Sequence, residues 1–366
     1  MYKRVINEFL ELVKLDNPSK NERKVADYLL NKLKKLGYNP IEDNAGEKIG
    51  GNTGNIICKI KGDKTKEKIM FLAHMDSVVP CINKVPVIND IYIESDKNTV
   101  LGSDDLSGVA AMLEVAYARA NNEIKSGDIY LVFTVAEEIG LLGAKQLDLS
   151  NFDIDYAYVL DSGGEIGTAS ISAPSHITFD VTIKGKAAHA GMEPEKGINS
   201  IVVASKAISK MTIGRIDEET TNNIGLINGG VATNIVCDSV YIKGECRSRN
   251  EKKLQKDYKD IINIFNDTVK EYGCDIYINS KLEYKSFLID SKAQVLLKFK
   301  KACEIANLPY ITEHGGGGSD TNIISQLGVK SLNISTGMEK VHSVEERIKK
   351  EDIIKISELI KIIVSL

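Results

Sequence analysis

The sequence predicts an α/β protein of two parts, a domain built on a buried parallel sheet and an α+β domain inserted into it. Three observations predict this. Residues 128–142 read DIYLVFTVAEEIGLL, and Ile129, Tyr130, Leu131, Val132, Phe133 and Val135 form the near-continuous apolar run of a strand covered on both faces. From about Pro174 the elements follow the order βαββαβ, that of the ferredoxin-like unit. A βα pattern then resumes, so the unit reads as an insertion. A length of 366 residues also suggests two domains.

Composition narrows the function classes. Hydrophobic content of 43% and charged content of 27% are those of a globular protein. A net charge of −4 and a pI near 5.9 argue against nucleic acid or an anionic membrane as the main partner. No apolar run reaches the roughly 18 residues of a membrane helix, and MYKRVINEFLELVKL lacks the core of a secretory signal. The cysteines at 58, 81, 237, 246, 274 and 303 are scattered without a CxxC, which suits reduced, buried thiols in a cytoplasmic protein and disfavours a thiolate zinc site.

Tyr2, Val5, Ile6, Phe9, Leu10 and Val13 share one helical face. A second helix follows Asn21, turns Val25, Leu29, Leu33 and Leu36 inward, and stops at Gly37. Strands are expected at 55–60 and 68–73. The second, KIMFLAH, carries His74 and then Asp76 at its C-terminal end, where ligands bind in open α/β sheets. His-x-Asp puts both side chains on one side of an extended backbone, so His74 can ligate a metal while Asp76 orients it. In LGSDDLSGVAAM, Ser103, Asp104 and Asp105 precede an amphipathic helix with Val109, Met112, Leu113 and Ala116 inside. One aspartate suffices as a cap; a second carboxylate can bridge two divalent ions.

The strand at 129–135 ends on Glu137 and Glu138. As a pair they are either the exposed start of a helix or a metal ligand beside a proton carrier. A further strand at 156–160 ends on Asp161. Polar chemistry at four separate strand ends or strand-to-helix turns favours a site, and imidazole with carboxylates suits zinc, with cobalt or manganese as substitutes.

In the inserted part, strands are expected at 176–184, 224–228, 239–247 and 275–282, and helices at 197–211 and 251–272. His189 sits in the loop KAAHAGMEPEKG; Asn234 and Arg247 are further polar candidates, and His176 and His314 are read as bystanders. A helix at 291–306 and a strand at 329–333 follow. Gly315–Gly318 precede a helix beginning near Asp320, without the Lys-Ser/Thr of a nucleotide P-loop. NISTGMEKVHSVEE places His342 just past the last strand, and a closing helix turns Ile353, Ile356, Ile360 and Ile363 inward.

In this order and spacing, AHMDSV, LGSDDLSGVAAM, FTVAEEIGLLGA, LDSGG, AAHAGMEPEKGINSI, GGVATNIVCD and GGGSDTN resemble the co-catalytic zinc peptidases and amidohydrolases. That family includes peptidase T, aminoacylase, carboxypeptidase G and succinyl-diaminopimelate desuccinylase. The resemblance spans essentially the whole chain and is greatest to peptidase T and its tripeptidase-like relatives. It implies a zinc-peptidase (phosphorylase/hydrolase-like) catalytic domain, residues 1–173 and 286–366, with a ferredoxin-like lid and dimerisation domain at 174–285.

Carried over residue by residue, the resemblance implies two zinc ions per subunit. His74 and Asp161 would hold one, Glu138 and His342 the other, with Asp104 bridging and Asp76 steadying His74. Glu137 would be the general base, His189 would stabilise the oxyanion, in this family often across a homodimer interface, and Asn234 and Arg247 would contact the substrate. The family writes Asp-Asp-Lys-x-Gly where this chain has Asp104-Asp105-Leu106-Ser107-Gly108, which alters local charge but leaves every ligand. The expected activity is an aminopeptidase releasing the N-terminal residue of tripeptides. The alternatives are a dipeptidase or N-acyl-amino-acid amidohydrolase, and a catalytically dead binding or scaffold homologue.

Overall fold

The structure, a computed structural model, describes residues 3–366; Tyr2, assigned above to the first helical face, lies outside the described residues. The chain divides into two compact units. One takes the chain up to Ile171 with Leu288–Gly315 and Ser319–Leu366, and the other takes Ser172–Phe287 with Gly316–Gly318.

The first unit is built on a sheet whose centre is four parallel strands in the spatial order Ile129–Thr134, Ile69–His74, Tyr156–Gly163, Ser331–Glu339. Ile129–Thr134 and Ile69–His74 are buried at every position, which accounts for their unbroken apolar spelling. Antiparallel strands extend both flanks: Ile56–Ile60 and Ile41–Glu42 on one side, Arg347–Lys349, Tyr92–Glu94 and Val87–Ile88 on the other. Helix Arg4–Leu12 buries Val5, Ile6, Phe9 and Leu10, and Val13 behind it is buried too. Helix Arg23–Lys35 buries Val25, Leu29 and Leu33 and ends before Gly37, whose φ of +86° is a left-handed conformation that glycine adopts at low cost. The closing helix Lys350–Ser365 buries Ile353, Ile356, Ile360 and Ile363 completely.

One expectation is corrected here, and one of the two readings of the glutamate pair is set aside. The helix at Ser103–Ala120 is not amphipathic; it is buried on nearly every side, because it packs against strand Ile69–His74, helix Arg4–Leu12 and helix Lys350–Ser365 together. Ser103, Asp104 and Asp105 belong to its first turn, with Asp104 and Asp105 in non-helical backbone conformations. Nor does a helix begin at Glu137-Glu138. The chain there makes tight turns in which Ala136 and Leu141 take positive φ, and the next helical element is a single 3₁₀ turn at Ala144–Gln146.

The second unit runs Ser175–Lys184, Ser200–Ser209, Thr220–Gly229, Ser239–Ser248, Glu251–Tyr272, Asp275–Tyr284, the βαββαβ order, plus a short strand Gly214–Arg215. Its antiparallel sheet is ordered Thr220–Gly229, Ser239–Ser248, Ser175–Lys184, Asp275–Tyr284. Ile177, Phe179, Val181 and Ile183 alternate inward and meet Val203, Ala204, Leu254, Ile261 and Phe265 of the two helices. Each helix starts on an asparagine, Asn199 or Asn250, whose side chain accepts two backbone N–H groups of the first turn. Strand Thr220–Gly229 has Ser239–Ser248 on one side; on the other, Gly214–Arg215 pairs only with residues 221 and 222, which leaves residues 223–229 as an open edge.

Candidate metal centre

The C-terminal ends of the parallel strands and the turns beside them bring five side chains into two overlapping groups. His74, Asp104 and Asp161 form one, and Asp104, Glu138 and His342 the other, with the facing ligand atoms of each group within 4.8 Å of one another. Asp104 belongs to both. Its Oδ1 lies 3.0 Å from His74 Nε2 and its Oδ2 3.3 Å from His342 Nε2. Asp161 Oδ1 is 3.9 Å from His74 Nε2, and Glu138 Oε2 is 2.9 Å from His342 Nε2. His342 stands on a turn with φ +60°, a conformation that costs a non-glycine residue energy and recurs at functional sites.

Asp76 is fully buried and works mainly on the backbone. Its Oδ1 accepts the N–H of Glu137 at 3.0 Å, and its Oδ2 accepts the N–H of Glu138 at 3.2 Å and the Ser19 hydroxyl at 2.6 Å. His74 Nδ1 is 3.0 Å from the Asp76 backbone carbonyl and 3.5 Å from its carboxylate, so the carbonyl is the nearer acceptor. Either one fixes the tautomer that leaves Nε2 free to bind a cation.

The donor set fits divalent metal. Three carboxylates, of Asp104, Asp161 and Glu138, converge with two imidazoles, and no thiolate is among them. Burial and the neighbouring Asp161 push the Glu137 carboxyl well above the usual range; burial and Asp104 do the same to Asp161. Burial would also raise Asp104, but bonds from His342 and His74 hold it low. Such mutual repulsion is what a bound cation relieves. Glu138 Oε1 is buried without a hydrogen-bond partner, a lone-pair site aimed into protein that a metal would satisfy. Glu137 is buried beside the two groups yet belongs to neither, which leaves its carboxylate available for proton transfer.

His189, Asn234 and Arg247 lie in the second unit. His189 and Asn234 are exposed on adjoining loops, where Ala190 N–H donates to the Asn234 carbonyl at 2.9 Å and His189 pairs with Ile235. Arg247 is directly opposite His176, which is opposite Tyr284, across three strands. Its guanidinium donates twice to Glu245 at 3.0 and 3.1 Å, and His176 Nε2 lies 3.0 Å from the same carboxylate. His176, read as a bystander, is therefore part of a polar row with Arg247.

Sequence reasoning passed over several buried groups around the centre. Asp320 accepts the Thr134 hydroxyl at 2.6 Å and keeps Oδ1 without a partner. Glu22 accepts the Ala136 N–H at 2.9 Å, and burial and Asp76 push its carboxyl up to about 7. Lys84 is buried with its ammonium on Asn17 Oδ1, and Glu346 gathers four donors, described below. Glu346 had one sequence signal, its place four residues after His342 in HSVEE; the others lie far in sequence from the groups they serve.

Comparison with known proteins agrees with this architecture. Residues 171–273 match the M20 peptidase dimerisation domain, and residues 55–192 match peptidase family M28. The Bacillus subtilis protein YqjE is 40% identical, over 99% of this chain and 98% of its own. The crystal structure of a Staphylococcus aureus tripeptidase superposes with a TM-score of 0.95 at 36% identity, covering 99% of this chain and 97% of that one. Aminopeptidase PepT of Bacillus cereus gives 0.90 at 38% identity with the same coverage. The chain belongs to the peptidase T-like M20 peptidases. In this M20 chain the dimerisation domain is the ferredoxin-like unit, inserted between Asp161 and His342 of the candidate centre. The M28 match runs through His74, Asp104, Glu137, Glu138 and Asp161, so the M20 chain shares with that second family the stretch that carries four of the five candidate ligands.

Proposed function

We propose that this chain is a dinuclear zinc aminopeptidase that releases the N-terminal residue of tripeptides. The observation that carries the reading is Asp104, whose two oxygens each face a different imidazole, with Glu137 unengaged beside them. The substrate class rests on similarity to the Staphylococcus aureus tripeptidase and to PepT.

In this reading His74 and Asp161 would hold one zinc and Glu138 and His342 the other, with Asp104 shared between them; cobalt or manganese could substitute. Zinc in such a site polarises the scissile carbonyl and lowers the pKa of water toward neutrality. Glu137 takes a proton from the attacking water and delivers it to the leaving amine, a role suited to a buried carboxylate that belongs to neither ligand group. Asp76 holds the Glu137 and Glu138 backbone in place and, with its own carbonyl, orients His74. His189 donates to the developing oxyanion, and Asn234 and Arg247 contact the peptide.

Residues 1–173 and 286–366 act as the catalytic domain and 174–285 as the lid, which also forms a homodimer. The open edge at residues 223–229, with Leu226 and Ile227 exposed, supports dimerisation there, since an unpaired strand edge is a template for pairing. A reducing, cytoplasmic setting belongs to the same reading and is supported by six cysteines that are all free thiols. Among the described residues no helix is long and apolar enough to cross a membrane.

The test is hydrolysis by purified, zinc-loaded protein of a tripeptide, its N-acetylated form and an N-acyl amino acid. Release of the N-terminal residue from the free tripeptide alone is expected. Preference for the N-acyl amino acid would replace this reading with a deacylase, and no turnover of any of the three would favour a binding protein.

A further inference from the structure

Glu346 belongs to neither ligand group, yet it is 1% exposed and its side-chain bonds all go to one turn. Its Oε2 accepts the backbone N–H groups of Leu101 and Gly102, each at 2.8 Å. Its Oε1 accepts the Ser103 hydroxyl at 2.6 Å and the Asp104 N–H at 3.0 Å. All four partners are donors, so only a carboxylate can satisfy them together. These donors are the start of helix Ser103–Ala120, the turn that presents Asp104, while Glu346 itself closes the segment that carries His342. The main chain of that segment is tied down independently, through Glu346 N–H to Ser343 O at 3.1 Å and Ser95 N–H to Glu346 O at 3.0 Å.

A buried carboxylate needs compensating charge. A buried cation, Lys84, lies beside the same turn. Its Nζ, held by Asn17, comes so near Gly102 that a Cβ there would meet it at 2.8 Å, with Leu106 Cδ1 at 3.5 Å from the same point. The cation next to this turn thus arrives from the segment after Asp76 rather than from position 106.

We propose that Glu346 is a positioning residue of the metal centre, clamping the Asp104 turn to the His342 segment so that Asp104 Oδ2 and His342 Nε2 meet at the second metal position. The inference rests on the proposed ligand set, and its consequence is selective. The first position shares Asp104 with the second but takes its other two ligands, His74 and Asp161, from neighbouring parallel strands rather than from the His342 segment. The second needs two turns, one before and one after the inserted unit, held in register by this one carboxylate.

The test is zinc and cobalt binding to metal-stripped protein, followed by calorimetry and by cobalt absorption, for wild type, Glu346→Gln, Ser103→Ala and His342→Ala. Glu346→Gln keeps the shape but turns an NH₂ group toward backbone donors. It should weaken the second ion about 10–100-fold, the usual cost of removing a group that orients a ligand, while the first stays within about threefold of wild type. Tripeptidase activity of Glu346→Gln should return at saturating zinc, which a misfolded site would not allow. Ser103→Ala removes one of the four donors and should weaken the second ion by a smaller factor; it also serves if Glu346→Gln does not fold. Unchanged affinity for both ions in Ser103→Ala and Glu346→Gln, while His342→Ala loses the second, would overturn the clamp and leave the ligand set standing. Equal weakening of both ions with a fallen melting temperature would make Glu346 a structural residue and overturn it as well. Two tight ions in His342→Ala would overturn the ligand set and the clamp with it.

Discussion

Asp76 Oδ1 accepts the backbone N–H of Glu137 at 3.0 Å, so the residue that steadies His74 also fixes the base of the proposed reaction. Its other oxygen takes the Glu138 N–H and the Ser19 hydroxyl. Asp76→Asn would turn an NH₂ group against at least one of these donors in a fully buried place. A loss of about 1–3 kcal/mol in unfolding free energy by denaturant titration is expected, with a fall in kcat larger than the change in KM. Unchanged stability would show that the backbone N–H groups do not depend on this carboxylate.

Glu137→Gln should retain the fold and two bound metals and lose about 10²–10⁴-fold in kcat, the contribution typical of a general base. Single-turnover hydrolysis of a tripeptide, with metal content measured on the same sample, separates the two functions. Loss of metal together with activity would instead mean that Glu137 and Glu138 have exchanged roles.

Asp104→Ala should lower occupancy at both metal positions, because each of its oxygens faces a different imidazole. Two tightly bound ions in this variant, counted by elemental analysis after gel filtration, would rule out bridging and turn attention to the adjacent, fully buried Asp105.

In the metal-free protein, bonds to Asp104 and Glu138 raise His342 from the ordinary 6.5 to about 10. Between those pH values the folded chain holds a proton that the unfolded chain has lost. This contribution to stability is therefore complete below about pH 6.5 and disappears as pH rises through the folded value. A metal ligand must be deprotonated, so filling the second position expels that proton and affinity should rise with pH. Calorimetry at neutral pH in buffers of different ionisation enthalpy should show more protons released by wild type than by His342→Ala. Equal release would remove His342 from the second position.

His189→Ala should leave metal content and melting temperature nearly unchanged and lower kcat far more than it raises KM, by roughly 10²–10³-fold, as loss of an oxyanion donor does. If the residue acts across a homodimer, mixing Glu137→Gln with His189→Ala under subunit exchange should restore activity, because one site of the hybrid has both residues intact. No recovery, with exchange verified by a label, would place His189 in its own subunit's site or outside any site.

The sheet was readable because strands covered on both faces must be apolar throughout. Ile69–His74 and Ile129–Thr134 therefore declared themselves, and the polar residues ending them stood out. The inserted unit was readable for the opposite reason: its one-sided sheet and amphipathic helix Glu251–Tyr272 keep clear periods. The helix Ser103–Ala120 misled, because apolar residues all round it look like one face when read from a few positions. Asp76 was legible as a partner of His74 but not as an acceptor for Glu137, a bond spanning 61 residues that depends on how two strand ends lie side by side. Lys84, Glu22 and Asp320 were unreadable for the same reason, since a lone charged residue in sequence carries no sign that it will be buried.

The discontinuity of the first unit has a consequence for the order in which the protein is made. A ribosome delivers His74, Asp104, Glu138 and Asp161 first, then the whole inserted unit, and only afterwards His342 with Glu346. A growing chain can assemble the first half of the centre early, but its Asp104 turn has neither Glu346 nor its partner imidazole until the segment after the inserted unit has been made. On the proposed ligand set, a chain made only as far as the inserted unit lacks a ligand of the second metal position and is catalytically silent. The segment that completes the proposed ligand set is made only after the inserted unit has had time to fold.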